Sequence, residues 1–373
     1  MQFSFTNEQE DFRGILRRFF SARSPSSEVR KLMETEAGFD RETWKKLNQE
    51  LGLTAVHIPE AYGGQGFGCV ELGIVLEEMG RVLLCAPYFS SVVLAATAIL
   101  NAGTEEQKRK LLPAIAAGDT TATLAFTEDN GLWDASGVAM TATGTKLNGT
   151  KSFVVDGHTA DLIVVLARQP GTSGDKGLSL FTVRGDAPGL KRTPLKTMDA
   201  TRKLARLEFK DVEAELLGEA GQAAAPFAKT MTQAVVCLAN EMAGGADHLR
   251  ETSLEYAQMR MQFGRPIAAF QSMKHKQADM LVDVETAKSA AYYAAAAFDD
   301  NAADLTAVAS LAKACVAEAY LQTAVHAIQV RGGIGFTWDE DTHLWFKRAK
   351  SSEVFLGDAN YHRELMMQHW AAA

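Results

Sequence analysis

The chain has 373 residues, of which 47% are hydrophobic, and a formal net charge of −8. This length gives room for two or three domains with a sizeable core. The acidic balance argues against a nucleic-acid surface. The four cysteines have neither C-x-x-C nor zinc-type spacing, so we expect reduced, mostly buried thiols and predict no metal site.

The first residues and the hydropathy pattern bear on location. The N-terminus, M-Q-F-S-F-T-N-E-Q-E, lacks the basic and apolar regions of a signal peptide. The sequence contains no uninterrupted apolar stretch of about 18 residues, the length needed to span a bilayer. We therefore expect a cytoplasmic protein without a membrane segment.

Residues 1–119 show a helical pattern. Thr6 with Gln9 has the spacing of a capping box in front of apolar residues at helical intervals. Thr104 with Gln107 repeats the same pattern. The sequence therefore predicts an N-terminal helical domain.

The spacing of the apolar residues changes near Thr120, where T-A-T-L-A-F-T indicates a strand. Further short β-like runs follow, separated by Gly, Pro and Asp. The dipeptide Asn148-Gly149 is typical of a two-residue hairpin turn. Because turns rather than helices join these strands, we expect residues 120–218 to form an antiparallel, barrel-like β-domain.

Helical spacing returns near Pro226 and continues to the end of the chain. Alanine-rich runs in this part suit close contact between helices. Residues 219–373 are therefore predicted to form a C-terminal four-helix-bundle domain. The predicted fold class is α+β, with a helical domain, a β-domain and a helical bundle in that order.

The stretch Y-A-Q-M-R-M-Q-F-G-R-P-I-A-A-F-Q, which begins at Tyr256, has the composition of a helix end. A helix running towards Phe263 can stop at Gly264, which tolerates the positive φ of a helix C-terminus. Arg260 and Arg265 would then lie at the helix end, where guanidinium groups can bind phosphate in bidentate fashion. A solvated basic turn is the alternative interpretation.

The string R-x-x-F-G-x-P-I-x-x-F-Q resembles the signature of the acyl-CoA dehydrogenases, flavoproteins that desaturate acyl-CoA thioesters. The loops P-E-A-Y-G-G and G-T-E-E-Q-K-R-K-L-L-P and the string Q-V-R-G-G-I-G-F match the same family in the same order. The resemblance implies FAD as cofactor, an acyl-CoA substrate, an electron-transfer flavoprotein as acceptor, and a homotetramer or α2β2 heterotetramer. By position in the motifs, it implies FAD contacts from Arg260, Phe263, Gln271, Gln329, Gly333, Phe153 and Thr127.

The family reaction needs a carboxylate that takes the α-proton while a hydride passes from Cβ to flavin N5. Much of the family carries this base in a late I-Y-E-G-T motif, but that position is Leu356 here. Glu241 is the replacement candidate, because it lies beside an apolar helical stripe and its surroundings resemble the A-A-E-x-x-G-G-A pattern of bacterial steroid side-chain dehydrogenases. Gly244 and Gly245 are expected to leave room for a thioester. Pairing with a nearby cation is the alternative role of Glu241.

Two motifs depart from the family pattern. T-E-P-G-A-G-S reads T-E-D-N-G-L-W from Thr127, and W-I-T reads Phe153-Val154-Val155, which loses a hydroxyl near the flavin. Phe153 can still pack on the flavin ring.

Three hypotheses follow from this pattern. The first is desaturation of an acyl-CoA, with a bulky or steroid-derived acyl group, by Glu241. The second is a non-catalytic subunit that completes the FAD site of a heterotetramer. The third is a flavin oxidase or monooxygenase on the same fold.

Overall fold

A computed structural model describes residues 5–372. The chain forms two compact units. The helical unit comprises the chain up to Arg30, Cys69–Leu84 and the chain from Val235. The sheet unit comprises Lys31–Gly68 and Cys85–Ala234. These units cut across the predicted domain boundaries, which stay predictions.

The predicted helices at both ends of the chain are present. The capping box of Thr6 and Gln9 begins the first one, because each side chain accepts a hydrogen bond from the other residue's N–H. No helix within residues 5–372 is long and apolar enough to cross a membrane. In chain order the helices are α1 Asn7–Arg23, α2 Ser26–Glu34, α3 Arg41–Leu51, α4 Cys69–Arg81, α5 Thr97–Ala102, α6 Glu105–Ala116, α7 Ala224–Met259, α8 Gln271–Asp299, α9 Leu305–Arg331, α10 Thr342–Val354 and α11 Ala359–Ala372, with a π-helix at Phe89–Ala96 before α5.

Within the helical unit, α9 packs against α8, α10 and α11, and α4 packs against α1 and α8. Alanines supply much of the buried faces of α8 and α9, and their small side chains allow close helix contact. The alanine-rich runs of the sequence therefore lie at helix interfaces, as predicted.

The sheet unit contains eight strands in one sheet. The strands are β1 Ala122–Ala125, β2 Thr141–Thr143, β3 Lys146–Val155, β4 Leu162–Arg168, β5 Leu178–Arg184, β6 Leu190–Pro194, β7 Leu204–Glu213 and β8 Glu215–Leu217. Their order is β6-β7-β3-β2-β4-β5-β8, and β1 pairs with β4. Among the described residues the edge strands β6 and β8 do not pair, so the sheet is open and the barrel is not closed. Most pairs are antiparallel as predicted, but β1 and β2 run parallel to β4.

Alternate residues of β3, β4, β5 and β7 share one apolar core, as the two-residue period of a strand requires. Leu147, Ile163, Phe181 and Leu207 are representative, and none is more than 3% exposed. This core gives the sheet a rigid base for the loops that leave it.

The dipeptide Asn148-Gly149 lies inside β3, so its assignment to a hairpin turn is wrong. The turn between β2 and β3 is formed by Gly144 and Thr145. Gly149 sits at an irregularity in the pairing of β3 with β7 and has a φ of 143°. The Asn148 side chain bonds the neighbouring strand, because its oxygen accepts a hydrogen bond from the Asp211 N–H of β7 at 2.9 Å.

Candidate functional site

Glu241 is part of a buried ion pair between α7 and α10. Its side chain is 7% exposed, and Arg348 Nη1 donates to its Oε1 at 2.9 Å. Arg348 is itself only 5% exposed. Removing one member of such a pair leaves an uncompensated charge away from water. The contact is the cation pairing that the sequence left open as the alternative role of Glu241.

Gly244 and Gly245 accommodate neighbouring helices. A Cβ on Gly244 would overlap the carbonyl oxygen of Glu77 on α4. A Cβ on Gly245 would lie 2.5 Å from the hydroxyl oxygen of Tyr320 on α9. The expectation that these glycines leave room for a thioester is therefore wrong, because packing already occupies the space beside them.

The crossing of α4 and α7 is reciprocal. A Cβ on Gly80 of α4 would overlap the carbonyl oxygen of Glu241, just as one on Gly244 would overlap that of Glu77. Glycine on both helices therefore lets the two backbones touch. The contact fixes the main chain from which the Glu241 side chain extends.

A second contact joins α7 to α10. The rings of His248 and Trp345 stack with their centroids 4.3 Å apart. Burial lowers the pKa of His248 to about 4, and nearby guanidinium groups add to the effect, so the imidazole is neutral near pH 7. The stacked rings and the ion pair of Glu241 together hold α10 against α7.

Leu356 occupies the place where the late family motif has its carboxylate. Its side chain is 2% exposed and its φ is 61°, a conformation that is uncommon for a residue with a Cβ. Lys313 Nζ donates to the carbonyl oxygens of Glu353 and Gly357 at 3.0 and 2.9 Å, and His362 Nε2 bonds the Leu356 oxygen at 2.9 Å. Hydrogen bonds therefore anchor this loop, but the buried side chain of Leu356 cannot accept a proton.

The stretch after α7 forms a short hairpin. The helix ends at Met259, and β9 Met261–Gln262 pairs with β10 Arg265–Pro266. The turn residues Phe263 and Gly264 have φ values of 53° and 76°, as in a type I′ turn. The positive φ predicted for Gly264 is confirmed, but this glycine belongs to a hairpin and does not end the helix.

The two arginines of this hairpin are available to a ligand. Arg260 and Arg265 are exposed, and neither forms an ion pair with a carboxylate of residues 5–372. Phe263 is 91% exposed at the tip, which is unusual for a large apolar side chain. Unpaired guanidinium groups beside an exposed aromatic ring suit a ligand with both anionic and aromatic parts.

Three further predicted FAD contacts lie at one end of the α8–α9 pair. Gln271 begins α8, and Gln329 is near the end of α9. Lys276 Nζ of α8 donates to the Gln329 side-chain oxygen at 3.0 Å, so these ends are neighbours. A Cβ on Gly333 would meet no atom of the described chain within 4 Å, so its backbone is open to a ligand.

Thr127 and Phe153 are brought together in the sheet unit. The Ser152 N–H donates to the Thr127 carbonyl oxygen at 2.9 Å. Phe153 is 39% exposed and has a φ of 58° at an irregularity in β3. Such strained conformations in non-glycine residues are enriched at ligand-binding and active sites.

These residues fit FAD, which joins a flat aromatic ring system to a diphosphate. Arg260 and Arg265, the latter lying over the Phe270 ring at 4.3 Å, supply exposed guanidinium groups suited to phosphate oxygens. Phe153 presents an aromatic ring on a strained backbone. Gln271, Gln329 and Gly333 supply amides and an accessible backbone. In each unit, these groups have the chemistry that binding to part of FAD requires.

Arg348 was not among the site residues predicted from the sequence. It follows Leu344 and Trp345 on α10, and all three residues are no more than 5% exposed. The sequence did contain a signal for its burial, because Arg348 lies at helical spacing from the apolar residues Leu344 and Trp345. A buried cation of this kind indicates a buried anion, and Glu241 is that anion.

Three family models match this chain, namely those for the N-terminal, middle and C-terminal domains of acyl-CoA dehydrogenase, at residues 6–119, 123–212 and 225–370. Acyl-CoA dehydrogenase IpdE2 of Mycobacterium tuberculosis is 32% identical over 88% of this chain and 86% of its own length. The structure of butyryl-CoA dehydrogenase from Megasphaera elsdenii matches with a TM-score of 0.92, 26% identity and full coverage of both chains. A steroid acyl-CoA dehydrogenase variant, Tcur3481-Tcur3483, matches with a TM-score of 0.87, 30% identity and 98% coverage of both chains.

Proposed function

This chain belongs to the acyl-CoA dehydrogenase family, whose cofactor is FAD, and we propose that it desaturates the Cα–Cβ bond of an acyl-CoA thioester with Glu241 as the base. When bound, FAD supplies the acceptor for the β-hydride. The observation that carries the proposal is a buried carboxylate on α7 in a chain whose late motif has Leu356.

The chain's own residues would take separate parts of this reaction. Glu241 would accept the α-proton, and the hydrogen bond from Arg348 would fix the orientation of its carboxylate. Arg260 would hold the diphosphate of FAD, and Phe153 would pack against its ring system. The same Arg348 contact also suits a purely structural role, so an experiment must separate the two.

Substitution of Glu241 by Gln separates these roles. This change keeps the shape of the side chain and removes the proton acceptor, so turnover should fall by about 10²–10⁴-fold. The amount of bound FAD should stay at the wild-type level. Turnover is measured with acyl-CoA thioesters and an artificial dye as electron acceptor.

Glu78 provides a matched control, because it is 1% exposed and pairs with Arg17 at 2.7 Å in the same unit. Glu78→Gln should lower the unfolding temperature and leave turnover near the wild-type value. Glu241→Gln with wild-type turnover and a similar loss of stability would make Glu241 a structural partner and remove it from the mechanism.

A second candidate function is a subunit that contributes to the FAD site without carrying the base. Leu356 and the ion pair of Glu241 favour it. Purification of the chain alone distinguishes the two functions by its visible spectrum. A colourless, inactive protein that gains flavin only with a second chain supports the subunit role.

The proposal extends to the acyl group, the electron acceptor and the oligomeric state. A bulky or steroid-derived acyl chain is supported by similarity to a protein described as a steroid acyl-CoA dehydrogenase. We also propose an electron-transfer flavoprotein as acceptor and a tetramer, either homomeric or α2β2. A panel of straight, branched and steroid-derived acyl-CoA thioesters tests the first of these points.

A further inference from the structure

Lys151 is a fully buried lysine behind the two predicted flavin contacts of the sheet unit. Its side chain is 0% exposed. The ammonium nitrogen donates to Glu128 Oε1 at 2.8 Å and to the Phe126 carbonyl oxygen at 3.1 Å. One ammonium group therefore bonds the residues on either side of Thr127.

Glu128 extends this arrangement into the following loop. Its two carboxylate oxygens accept the backbone N–H groups of Ala139 and Met140 at 3.0 and 2.9 Å. The loop from Glu128 to Met140 is therefore closed on the same carboxylate that pairs with Lys151. Each of these buried polar groups has a partner, as a stable buried network requires.

The ion pair of Lys151 and Glu128 also lies next to the irregular pairing of β3 with β7 at which Phe153 is exposed. Lys151 pairs with Leu207 on β7, while Val154 pairs with Ala205. Two residues of β3, Ser152 and Phe153, thus stand opposite one residue of β7, which is the geometry of a β-bulge. With the Lys151 side chain directed inward, the bulge turns Phe153 outward in a left-handed conformation.

A polar contact closes the outer side of this bulge. Ser152 Oγ donates to Asp129 Oδ1, and Arg206 also donates to that carboxylate. The residues around Thr127 are therefore held by hydrogen bonds: Phe126 and Glu128 by Lys151, and Asp129 by Ser152 and Arg206. Nothing in this arrangement depends on the proposed proton acceptor of the helical unit.

We infer that Lys151 is a positioning residue for FAD, which holds Thr127 and Phe153 in place through Glu128 and the β3 bulge. This inference rests on the proposed function, because it concerns the same cofactor. Lys151 does not touch the flavin itself. It acts by fixing the backbone on which the flavin contacts stand.

The test compares Lys151→Met with a matched buried lysine, Lys313→Met. Both lysines are 0% exposed and both donate to two acceptors, but Lys313 bonds the loop around Leu356. Titration of each apoprotein with FAD gives its dissociation constant, and the visible absorption and circular dichroism bands report the flavin environment. Lys151→Met should weaken FAD binding at least tenfold and move the bands towards those of free FAD, while Lys313→Met should change neither.

Glu128→Gln carries the same test if Lys151→Met does not fold. This isosteric change removes the partner charge, and it should weaken FAD binding in the same direction but less. Wild-type affinity and bands in the folded variants would overturn the inference, as would equal losses in the Lys313 control. Failure of the wild-type chain to bind FAD would instead contradict the proposed function, and the inference would fall with it.

Discussion

The ion pair of Glu241 with Arg348 and that of Lys151 with Glu128 are both buried, but they stabilise different kinds of structure. Glu241 and Arg348 join two regular helices, α7 and α10. Lys151 and Glu128 join a strand to a loop, and each charged group also bonds backbone groups of that loop. The backbone N–H and C=O groups within a helix bond one another. Buried backbone groups of a loop lack such partners and bond side chains instead. A charge pair in a loop therefore determines backbone conformation as well as stability.

The largest expected effects on stability come from replacing the members of each pair by methionine, first singly and then together. A single change in either pair should cost about 3–5 kcal/mol, because it leaves one buried charge alone. In Glu241→Met with Arg348→Met, most of that loss should return, since neither charge remains. In Lys151→Met with Glu128→Met, it should persist, because two backbone N–H groups lose their acceptor.

Chemical denaturation of the four single and two double variants measures these differences. Equal recovery in the two double variants would contradict the distinction between a helix pair and a loop pair. If the loss of stability persisted in both double variants, Glu241 and Arg348 would stabilise further structure besides the contact between α7 and α10.

Gly244→Ala tests how tightly the helical region is packed around Glu241. Its new Cβ would overlap the Glu77 carbonyl oxygen, and main-chain atoms can yield only by moving a helix. We expect a loss of about 1–3 kcal/mol in the free energy of unfolding. Gly333→Ala is the control, since its Cβ would meet open space, and its effect should stay within about 0.5 kcal/mol. Similar values for the two alanine variants would show that the crossing of α4 and α7 is looser than described.

The two buried lysines should differ in the pH dependence of stability. Burial lowers the pKa of Lys151 to about 8 and that of Lys313 to about 7, from 10.5. Between the lowered value and 10.5, the unfolded chain binds more protons than the folded one, so each lysine makes stability rise with pH. The gain begins near pH 7 for Lys313 and near pH 8 for Lys151.

Unfolding free energies of the wild type, Lys151→Met and Lys313→Met from pH 7 to pH 10 measure this contribution. The stability of the wild type relative to each variant should increase with pH, and the increase should begin at a lower pH for Lys313. A constant difference across this range would mean that neither lysine is penalised by burial in its charged form.

Local signals in the sequence predicted local structure well. The capping box at Thr6 lies within four residues of chain, and its hydrogen bonds need only those residues. The order of helical, β and helical segments followed from the spacing of apolar residues in the same way. The positive φ of Gly264 was also predictable, because few other residues adopt it easily.

Predictions that depended on distant partners fared worse. The Asn148-Gly149 dipeptide has the composition of a hairpin turn, but pairing with β7 places it within a strand. Gly244 was correctly identified as a position that needs space, but the occupant is α4, which is far away in sequence. Lys151 and Glu128 are 23 residues apart, and no local period connects them. Charges and glycines thus mark special positions, while the fold determines what they contact.

The reciprocal glycine contact has a practical consequence for protein engineering. Gly80 and Gly244 set the separation of two backbones, so a library that randomises either position will mostly sample destabilised chains. Attempts to change the preferred acyl group should therefore leave these two positions fixed. Substitutions at other positions can then reveal changes in acyl-group selectivity, whereas substitutions at the crossing of α4 and α7 would mainly change whether the protein folds.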